Sequence, residues 1–269
     1  MNMDNNLIAV IIGIVEGVTE FLPVSSTGHM IIVGNMLGFD GPVADLFDVF
    51  IQLGAILSVV FIYKERFARF FTKEGWQPDK GLSVWHVAAG IVPVMGVAYL
   101  GYSYIKTYLF SPFTVAVGLV LGAFWMMFAE YKTKDKHQEL ENDIDKLTLK
   151  QAAVVGAFQL LSLWPGFSRS GSTIAGALLV GLSREAAASF AFLIAVPLMF
   201  AACLYDLMKN LHHLTGGEFQ MLAIGFVTAF IVSYFSVLWF LKFLNKYSLT
   251  SFAYYRIILA VAALWYFYF

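Results

Sequence analysis

The chain has 269 residues, of which 59% are hydrophobic and only 13% are charged, and its mean hydropathy is +0.74. A soluble domain carries about 25% charged residues, so this composition argues against a soluble protein and for one that lies in a membrane. The formal net charge of −1 excludes the strongly basic surface typical of nucleic-acid binding, and the single cysteine, Cys203, excludes an internal disulfide and argues against a cysteine-based metal site.

The first apolar stretch, residues 7–37, is long enough for a membrane span but is broken at Pro23. A span needs about 20 consecutive apolar residues, and each half of this stretch has only about 10–16. Two such short helices are typical of a re-entrant pair, whose irregular tip is buried in protein or lines a wet cavity. The residues before it carry no positive charge, so we expect no cleaved signal peptide.

Two carboxylates, Glu16 and Glu20, lie in the first half of this stretch, on a helix predicted over 7–22. Their spacing puts both on one helix face, where Gly13 and Gly17 leave room for a bulky neighbour. Ionised side chains at this depth are costly and normally mark a function, here metal binding or proton transfer. The alternatives are a structural partner for an arginine and a helix end at the interface.

The tip that follows joins hydroxyl groups, a glycine and a histidine, in the order Ser25, Ser26, Thr27, Gly28 and His29. Pro23 ends the first helix, and Ser26 or Thr27 can cap the next one. For Ser25 and Thr27, capping alone is the alternative to a role in phosphate binding. A helix start offers free N–H groups that suit a phosphate, and Gly28 lets the backbone come close. His29 would lie within reach of a bound phosphate, although a lone histidine in an apolar helix is more often a core residue.

Six other apolar stretches are long enough to cross a bilayer. They are residues 47–63, 84–105, 112–130, 186–207, 219–241 and 252–269. The first of them contains a polar residue, Gln52, to which the sequence assigns no role. Between the third and the fourth lies a second interrupted stretch, 151–182, which is broken at Pro165.

The tip of the second interrupted stretch contains Arg169, the only lysine or arginine between Lys150 and Arg184. Its neighbours are small and hydroxyl residues, namely Ser168, Ser170, Gly171 and Thr173. A guanidinium presents a donor fork that matches phosphate oxygens, and the alternative is an arginine that reaches the membrane interface. The first tip thus supplies carboxylates and an imidazole and the second a cation, which are parts that phosphoryl transfer requires.

The two interrupted stretches match when Gly171 is laid over Gly28, and the same offset lays 190–197 over 47–54. Each half of the chain is then one re-entrant pair followed by three spans, and because three is odd the second half is inverted. Inverted repeats with broken helices place a polar site near the membrane midplane. Chance similarity of two glycine-rich apolar stretches is the alternative.

We therefore predict an all-α, polytopic membrane domain over 1–269, made of two inverted-topology repeats at 1–135 and 151–269. The links 64–83 and 131–150 carry five lysines and arginines each, and the link after the fifth span adds three more, Lys242, Lys246 and Arg256. By the positive-inside rule these three links are cytoplasmic. Both termini are then outside, and the first tip enters from the outer side and the second from the inner side.

At these residues the chain resembles the undecaprenyl pyrophosphate phosphatase family, also called bacitracin-resistance proteins. The matching motifs are EGVTEFLPVSSTGH at 16–29 and PGFSRSGST at 165–173, and the resemblance covers nearly the whole chain. It implies hydrolysis of undecaprenyl diphosphate to the monophosphate and inorganic phosphate. That reaction recycles the lipid carrier of peptidoglycan synthesis and confers bacitracin resistance.

The resemblance also implies where the chemistry lies. The catalytic residues of the family carry over to Glu16, Glu20, Ser26, His29 and Arg169, and supporting phosphate contacts to Ser168 and Thr173. Further candidates for phosphate binding are the other small and hydroxyl residues of the tips, namely Ser25, Thr27, Gly28, Ser170 and Gly171. Ser26, His29 and a water molecule are the three alternatives for the group that attacks phosphorus.

The family requires a divalent cation, Mg²⁺ or Ca²⁺, for which Glu16 and Glu20 are the candidate ligands. Its active site faces the periplasmic or extracellular side of the bacterial plasma membrane. The expected partners are the bilayer and a polyprenyl diphosphate lipid, without nucleic acid, and a homodimer stays open.

Two other functions fit parts of the sequence. Inverted repeats with broken helices are typical of transporters, so a transporter or flippase for an anionic lipid is the main alternative. Transport needs no histidine beside two carboxylates and a serine, however. A non-catalytic membrane scaffold would leave the intramembrane glutamates and Arg169 unexplained.

Overall fold

The computed structural model describes residues 4–109, 111–136, 140–210 and 218–268. Within these ranges the chain is helical apart from turns and one isolated bridge between Glu141 and Leu182, so the all-α prediction is confirmed. The middle of the predicted link 131–150 and the last residue of the predicted span 252–269 lie outside the described residues.

The described part of the chain contains eleven α-helices. They are α1 Asn5–Thr19, α2 Ser26–Leu37, α3 Pro42–Ile62, α4 Lys64–Phe70, α5 Val84–Tyr108, α6 Pro112–Thr133, α7 Leu149–Gln159, α8 Arg169–Leu179, α9 Arg184–Asn210, α10 Phe219–Leu244 and α11 Thr250–Tyr268. Six of them, α3, α5, α6, α9, α10 and α11, are long and apolar enough to cross a membrane. Each coincides with one predicted span, which confirms that prediction.

The two interrupted stretches form short helix pairs, as predicted. The helices α1, α2, α7 and α8 have 15, 12, 11 and 11 residues. At 1.5 Å per residue none of them covers the roughly 30 Å of a bilayer core. Their re-entrant placement and the inverted orientation of the two halves stay predictions.

Helices that correspond in the two halves have corresponding neighbours. Helix α1 packs along α10, and α7 packs along α5. A methyl group added at Gly13 would lie 2.9 Å from the carbonyl oxygen of Gly225, and one added at Gly156 would lie 2.6 Å from that of Gly90. Gly156 is the counterpart of Gly13 at the offset of the predicted repeat. The room left by Gly13 and by Gly17 is therefore filled by α10 and not by a ligand.

The structure corrects the position of Arg256, which was counted in a cytoplasmic link. Arg256 lies in the second turn of α11 and is 0% exposed. Its Nη2 donates to the carbonyl oxygens of Gly118, Gly166 and Phe167 at 3.2, 2.8 and 2.8 Å. The prediction that Arg256 lies in the link failed because these carbonyl oxygens accept the hydrogen bonds that water would otherwise accept, so the cation can be buried. The cytoplasmic assignment of that link therefore rests on the positive charges of Lys242 and Lys246.

The other two basic links contact each other. Asp145, in the link 131–150, accepts hydrogen bonds from Arg66 Nη1 at 2.5 Å, from the amide of Leu82 at 2.8 Å and from Arg69 Nη1 at 3.3 Å. Both links therefore lie on the same side of the helical bundle, as the topology prediction requires.

Candidate functional site

The first tip (residues 20–29) consists of the turn between α1 and α2 and the first turn of α2. It contacts the second tip (residues 160–173), which consists of the turn between α7 and α8 and the start of α8. Arg169 Nη2, at the start of α8, lies 3.2 Å from Glu20 Oε1, and both side chains are largely buried. The guanidinium also lies 5.4 Å from the ring centroid of Phe21, and Ser170 Oγ donates to the carbonyl oxygen of Leu22 at 2.9 Å. The two tips are thus brought together, as expected from their complementary residues.

A cavity of about 190 Å³ opens between the tips. The polar side chains of its lining are five hydroxyl groups, one carboxylate, one amide and one guanidinium. The lining residues are Glu20, Ser25, Ser26, Thr27, Gln52, Ser162, Trp164, Pro165, Gly166, Ser168, Arg169 and Met199. Half of the twelve candidate site residues therefore face one cavity.

At the centre of this lining, Glu20 holds two side chains at once. Ser26 Oγ donates to Glu20 Oε2 at 2.5 Å, while Glu20 Oε1 accepts from Arg169. A carboxylate that accepts the hydrogen bond of a serine hydroxyl can take its proton when the oxygen attacks an electrophile. The site thus pairs a potential nucleophile with a base and an anion-binding cation.

The turn in each tip ends in a serine with an unusual backbone conformation. Ser25 has φ 69° and Ser168 has φ 74°, and they are the only described residues other than glycine with positive φ. Such a conformation costs an L-residue roughly 1–3 kcal/mol and is held by its surroundings. Ser168 is laid over Ser25 by the same offset that lays Gly171 over Gly28, so the strain recurs at matching positions of the predicted repeats.

This conformation also corrects the predicted cap of α2. The N-cap is Ser25, and its side chain makes no capping hydrogen bond, whereas Ser26 is already helical. The cap is neither Ser26 nor Thr27, because the turn at Ser25 starts the helix one residue earlier. The alternative, Ser25, occupies the cap position, but its side chain does not cap the helix. The first-turn N–H groups of α2 are therefore left without a side-chain cap, which suits an anion.

His29 makes its side-chain hydrogen bonds to Ser25 and Tyr255 and not to Ser26. Its Nδ1 lies 2.9 Å from the carbonyl oxygen of Ser25, its Nε2 lies 2.7 Å from the hydroxyl of Tyr255, and the two rings are stacked. A carbonyl only accepts hydrogen bonds, so Nδ1 carries a proton, and Nε2 of the neutral ring accepts from Tyr255. Both ring nitrogens are thus engaged, and the imidazole does not line the cavity.

Glu16 lies one helical turn from Glu20 and is completely buried. Neither of its carboxylate oxygens has a hydrogen-bond partner among the described residues. A buried polar group without a partner is costly. The packing of α1 alone therefore does not explain a glutamate at position 16.

The remaining candidates lie behind the cavity wall. Thr173 Oγ1 donates to the carbonyl oxygen of Arg169 at 2.7 Å, and Ser170 is bonded to the first tip as described above. Gly28 faces Leu119, and Gly171 faces Arg256. In this conformation these four residues shape the tips and do not reach the cavity.

Two residues at or near the site escaped the sequence-based selection. Gln52 lines the cavity, and its Oε1 accepts a weak hydrogen bond from the Cys203 thiol at 3.5 Å. Its signal was a polar side chain inside an apolar span. Tyr255 gave no signal, because an aromatic residue in a membrane helix is ordinary until its contact with His29 is known.

The carboxylates fit a cation that arrives with a phosphate ligand. Among the described residues no three His, Cys, Asp or Glu side chains are grouped so that they could hold a metal by themselves. Mg²⁺, however, is commonly held by one or two carboxylates together with substrate phosphate oxygens. Glu20 in the cavity wall is a candidate for such a ligand. Glu16, one helical turn away and without a partner among the described residues, is a second candidate.

Comparison with known proteins gives one consistent answer. The model of the family described as bacitracin resistance protein BacA matches residues 9–262. Undecaprenyl-diphosphatase 1 of Bacillus thuringiensis (strain Al Hakam) is 46% identical over 260 residues, which cover 96% of this chain and 97% of the relative. Undecaprenyl-diphosphatase 1 of Bacillus anthracis matches with the same identity and coverage.

Proposed function

This chain belongs to the bacitracin resistance protein BacA family and hydrolyses undecaprenyl diphosphate, and we propose that the reaction takes place in the cavity between the two tips. It is a multi-pass protein of the bacterial plasma membrane, and its activity recycles the lipid carrier of peptidoglycan synthesis and confers bacitracin resistance. The proposal rests mainly on one observation, that Glu20 contacts both Ser26 and Arg169.

The diphosphate head is bound by charge and by backbone amides. Arg169 offers a guanidinium fork to the phosphate oxygens, and the uncapped first turn of α2 offers its N–H groups and the positive end of its dipole. Because the side chains of Arg169 and Glu20 are largely buried, these interactions are stronger than in water and stabilise the charge that develops during phosphoryl transfer.

Ser26 then attacks the terminal phosphorus, and its proton passes to Glu20. The bond between this phosphorus and the bridging oxygen breaks, and undecaprenyl monophosphate leaves with the electron pair and the proton from Glu20. The phosphoryl group stays on Ser26 Oγ. The 2.5 Å hydrogen bond between Ser26 and Glu20 supports this assignment over one in which His29, engaged with Ser25 and Tyr255, takes the proton.

A water molecule completes the reaction. It attacks the phosphorus on Ser26 and transfers a proton to Glu20, the bond between phosphorus and Ser26 Oγ breaks, and Glu20 returns the proton to Ser26. Inorganic phosphate leaves, and the site returns to its starting state. Glu20 thus acts as base and acid in each half of the reaction.

Glu16 and Glu20 would hold a divalent cation, Mg²⁺ or Ca²⁺, together with the diphosphate oxygens. When bound, the cation would neutralise part of the diphosphate charge. Neither carboxylate oxygen of Glu16 has a hydrogen-bond partner among the described residues, and this supports the role of Glu16 as a ligand.

The site opens to the outer side of the membrane in this proposal. A second cavity of about 440 Å³ shares Ser26, Thr27 and Gln52 with the first and extends to Asp40 and Gly41, between α2 and α3. The positive-inside rule puts that loop outside. A homodimer is compatible with this site.

The test is release of inorganic phosphate by the purified protein from undecaprenyl diphosphate and from shorter prenyl diphosphates, with and without a chelator. We expect one phosphate for each lipid, loss of release with a chelator, and loss of release in Glu20→Gln. The exposed Glu65 provides a matched control, Glu65→Gln. Full release by Glu20→Gln would contradict the site, and transfer of intact diphosphate lipid across vesicles without phosphate release would favour a transporter.

A further inference from the structure

Two consecutive residues of the last helix, Tyr255 and Arg256, contact different tips. The Tyr255 hydroxyl lies 2.7 Å from His29 Nε2, which belongs to the first tip and lies one helical turn after Ser25. Arg256 Nη2 donates to the carbonyl oxygens of Gly166 and Phe167, both at 2.8 Å, in the second tip. One turn of α11 is thus joined to both sides of the cavity.

Each contact supports a peptide unit next to one of the strained serines, through His29 in the first tip and directly in the second. His29 Nδ1 donates to the carbonyl oxygen of Ser25 itself, and the carbonyl of Phe167 belongs to the peptide unit that leads into Ser168. Backbone conformations of this kind persist only where the surroundings determine them. The hydrogen bonds from α11 are therefore made where the two tips need support.

The residue after each strained serine is one that the proposed mechanism uses. Ser26 follows Ser25, and Arg169 follows Ser168. The φ and ψ angles of the serine fix the direction in which the following side chain leaves the backbone. A change at either serine would therefore turn Ser26 or Arg169 away from Glu20.

Arg256 also has features that packing alone does not explain. It is a fully buried cation, and its Nε and Nη1 have no partner among the described residues. An apolar side chain of similar size would avoid this desolvation cost. Two glycines leave space for the guanidinium, because a methyl group at Gly122 would collide with Nη2 and one at Gly171 would lie 3.1 Å from Nη1.

We propose that Tyr255 and Arg256 are positioning residues for hydrolysis, which hold the turns at Ser25 and Ser168 so that Ser26 and Arg169 face Glu20. Tyr255 acts on the first tip through His29, and Arg256 acts on the second tip directly. His29 belongs to this support in the resting site. The inference rests on the proposed function, because it assigns a purpose to the geometry of the same cavity.

The first test is Tyr255→Phe, which removes the hydroxyl and keeps the ring stacked on His29. We expect kcat to fall at least about tenfold, because small displacements of reacting groups have large effects on rate. KM and the melting temperature should stay close to those of the wild type. The neighbouring Tyr254 is 58% exposed, so Tyr254→Phe is the matched control and should keep full activity. A purely structural role would lower the melting temperature without separating kcat from KM.

The second test uses glycine at the strained serine. Glycine adopts positive φ without the cost that serine has, so a turn with Ser25→Gly needs less support. Tyr255→Phe should therefore reduce kcat less in the Ser25→Gly background than in the wild type, and the two effects should be coupled. Arg256→Gln should show the same coupling with Ser168→Gly. Arg256→Lys, which keeps the charge but has no planar fork, should recover only part of the activity.

The outcomes separate this inference from the proposed function. Wild-type kcat for Tyr255→Phe, or independent effects of Tyr255→Phe and Ser25→Gly, would overturn the positioning role, whatever the stability of the Arg256 variants. Loss of phosphate release by Glu20→Gln in the same assay would show that the cavity is nevertheless the active site. Full release by Glu20→Gln would instead overturn the proposed function.

Discussion

The carboxylate of Glu20 and the guanidinium of Arg169 are 149 positions apart in the chain, and yet their closest atoms are 3.2 Å apart. One residue belongs to each predicted repeat, so the active site exists only when both halves are folded and packed together. The base and the anion-binding group are held in the same contact, and a bound diphosphate would lie beside both.

Replacement of Arg169 by lysine should reduce kcat/KM about a thousandfold, because an ammonium cannot reproduce a bidentate contact in an enclosed site. The steady-state kinetics of phosphate release would measure the loss. Arg66 lies in the link 64–83, outside both tips, and Arg66→Lys is the matched control. Wild-type kinetics for Arg169→Lys would mean that only a positive charge is needed.

Glu16→Gln and Glu20→Gln should each reduce turnover severely while the protein still inserts and folds. A neutral amide fits at the position that corresponds to Glu16, since Gln159, its counterpart in the second predicted repeat, is buried and donates to the carbonyl oxygen of Gly90 at 3.2 Å. Activity and the elution profile in detergent would be measured together. A Glu16→Gln protein with near-normal turnover would remove Glu16 from the catalytic set.

The links 64–83 and 131–150 should be cytoplasmic and the N-terminus external. In a Cys203→Ala background, a cysteine introduced at Asn5 should react with a membrane-impermeant reagent in intact cells. Cysteines introduced at Asp79 or Asn142, both exposed in the links, should react only after lysis. Labelling of Asp79→Cys in intact cells would contradict the inverted repeat.

Asp145 should make the junction of the two links sensitive to acid. Partial burial raises the pKa of Asp145, but hydrogen bonds from Arg66 and from the Leu82 amide outweigh this effect and hold the pKa below its ordinary value. A carboxyl group with a lowered pKa stabilises the folded state fully above its ordinary pKa of about 4, and the stabilisation is lost as the pH falls through the lower folded value.

Asp145→Asn should therefore lower the melting temperature by about 2–4 °C at neutral pH, which corresponds to about 1 kcal/mol. The difference from the wild type should disappear at a pH below the folded pKa. Asp79→Asn, an exposed neighbour, is the control and should have no effect. An equal difference at all pH values would mean that the charge of Asp145 is not responsible.

The sequence was sufficient to predict the six spans, the two helix breaks and the contact between the tips. Hydropathy and proline positions reveal spans and breaks, and the unequal chemistry of the two tips indicated that they come together in one anion-binding site. These features depend on local patterns or on residues that are conspicuous in an apolar chain.

The parts that could not be predicted depend on contacts between distant residues. Nothing in the periodicity of α11 indicates that Tyr255 meets His29, 226 positions earlier in the chain, or that backbone carbonyls of the second tip satisfy Arg256. The positive φ of Ser25 was equally hidden, because a serine gives no sign of it. This conformation decided the cap of α2 and left the Ser26 hydroxyl free to contact Glu20.

In the proposed reaction, Ser26 is the group that attacks phosphorus in the cavity between the tips. Rapid acid quench of the purified protein with undecaprenyl diphosphate under single-turnover conditions, followed by mass spectrometry of its peptides, tests this directly. We expect a phosphoryl group on Ser26 that appears before free phosphate and is absent from Ser26→Ala. An acid-labile phosphoryl group on His29, or release of phosphate without any covalent species, would contradict the account.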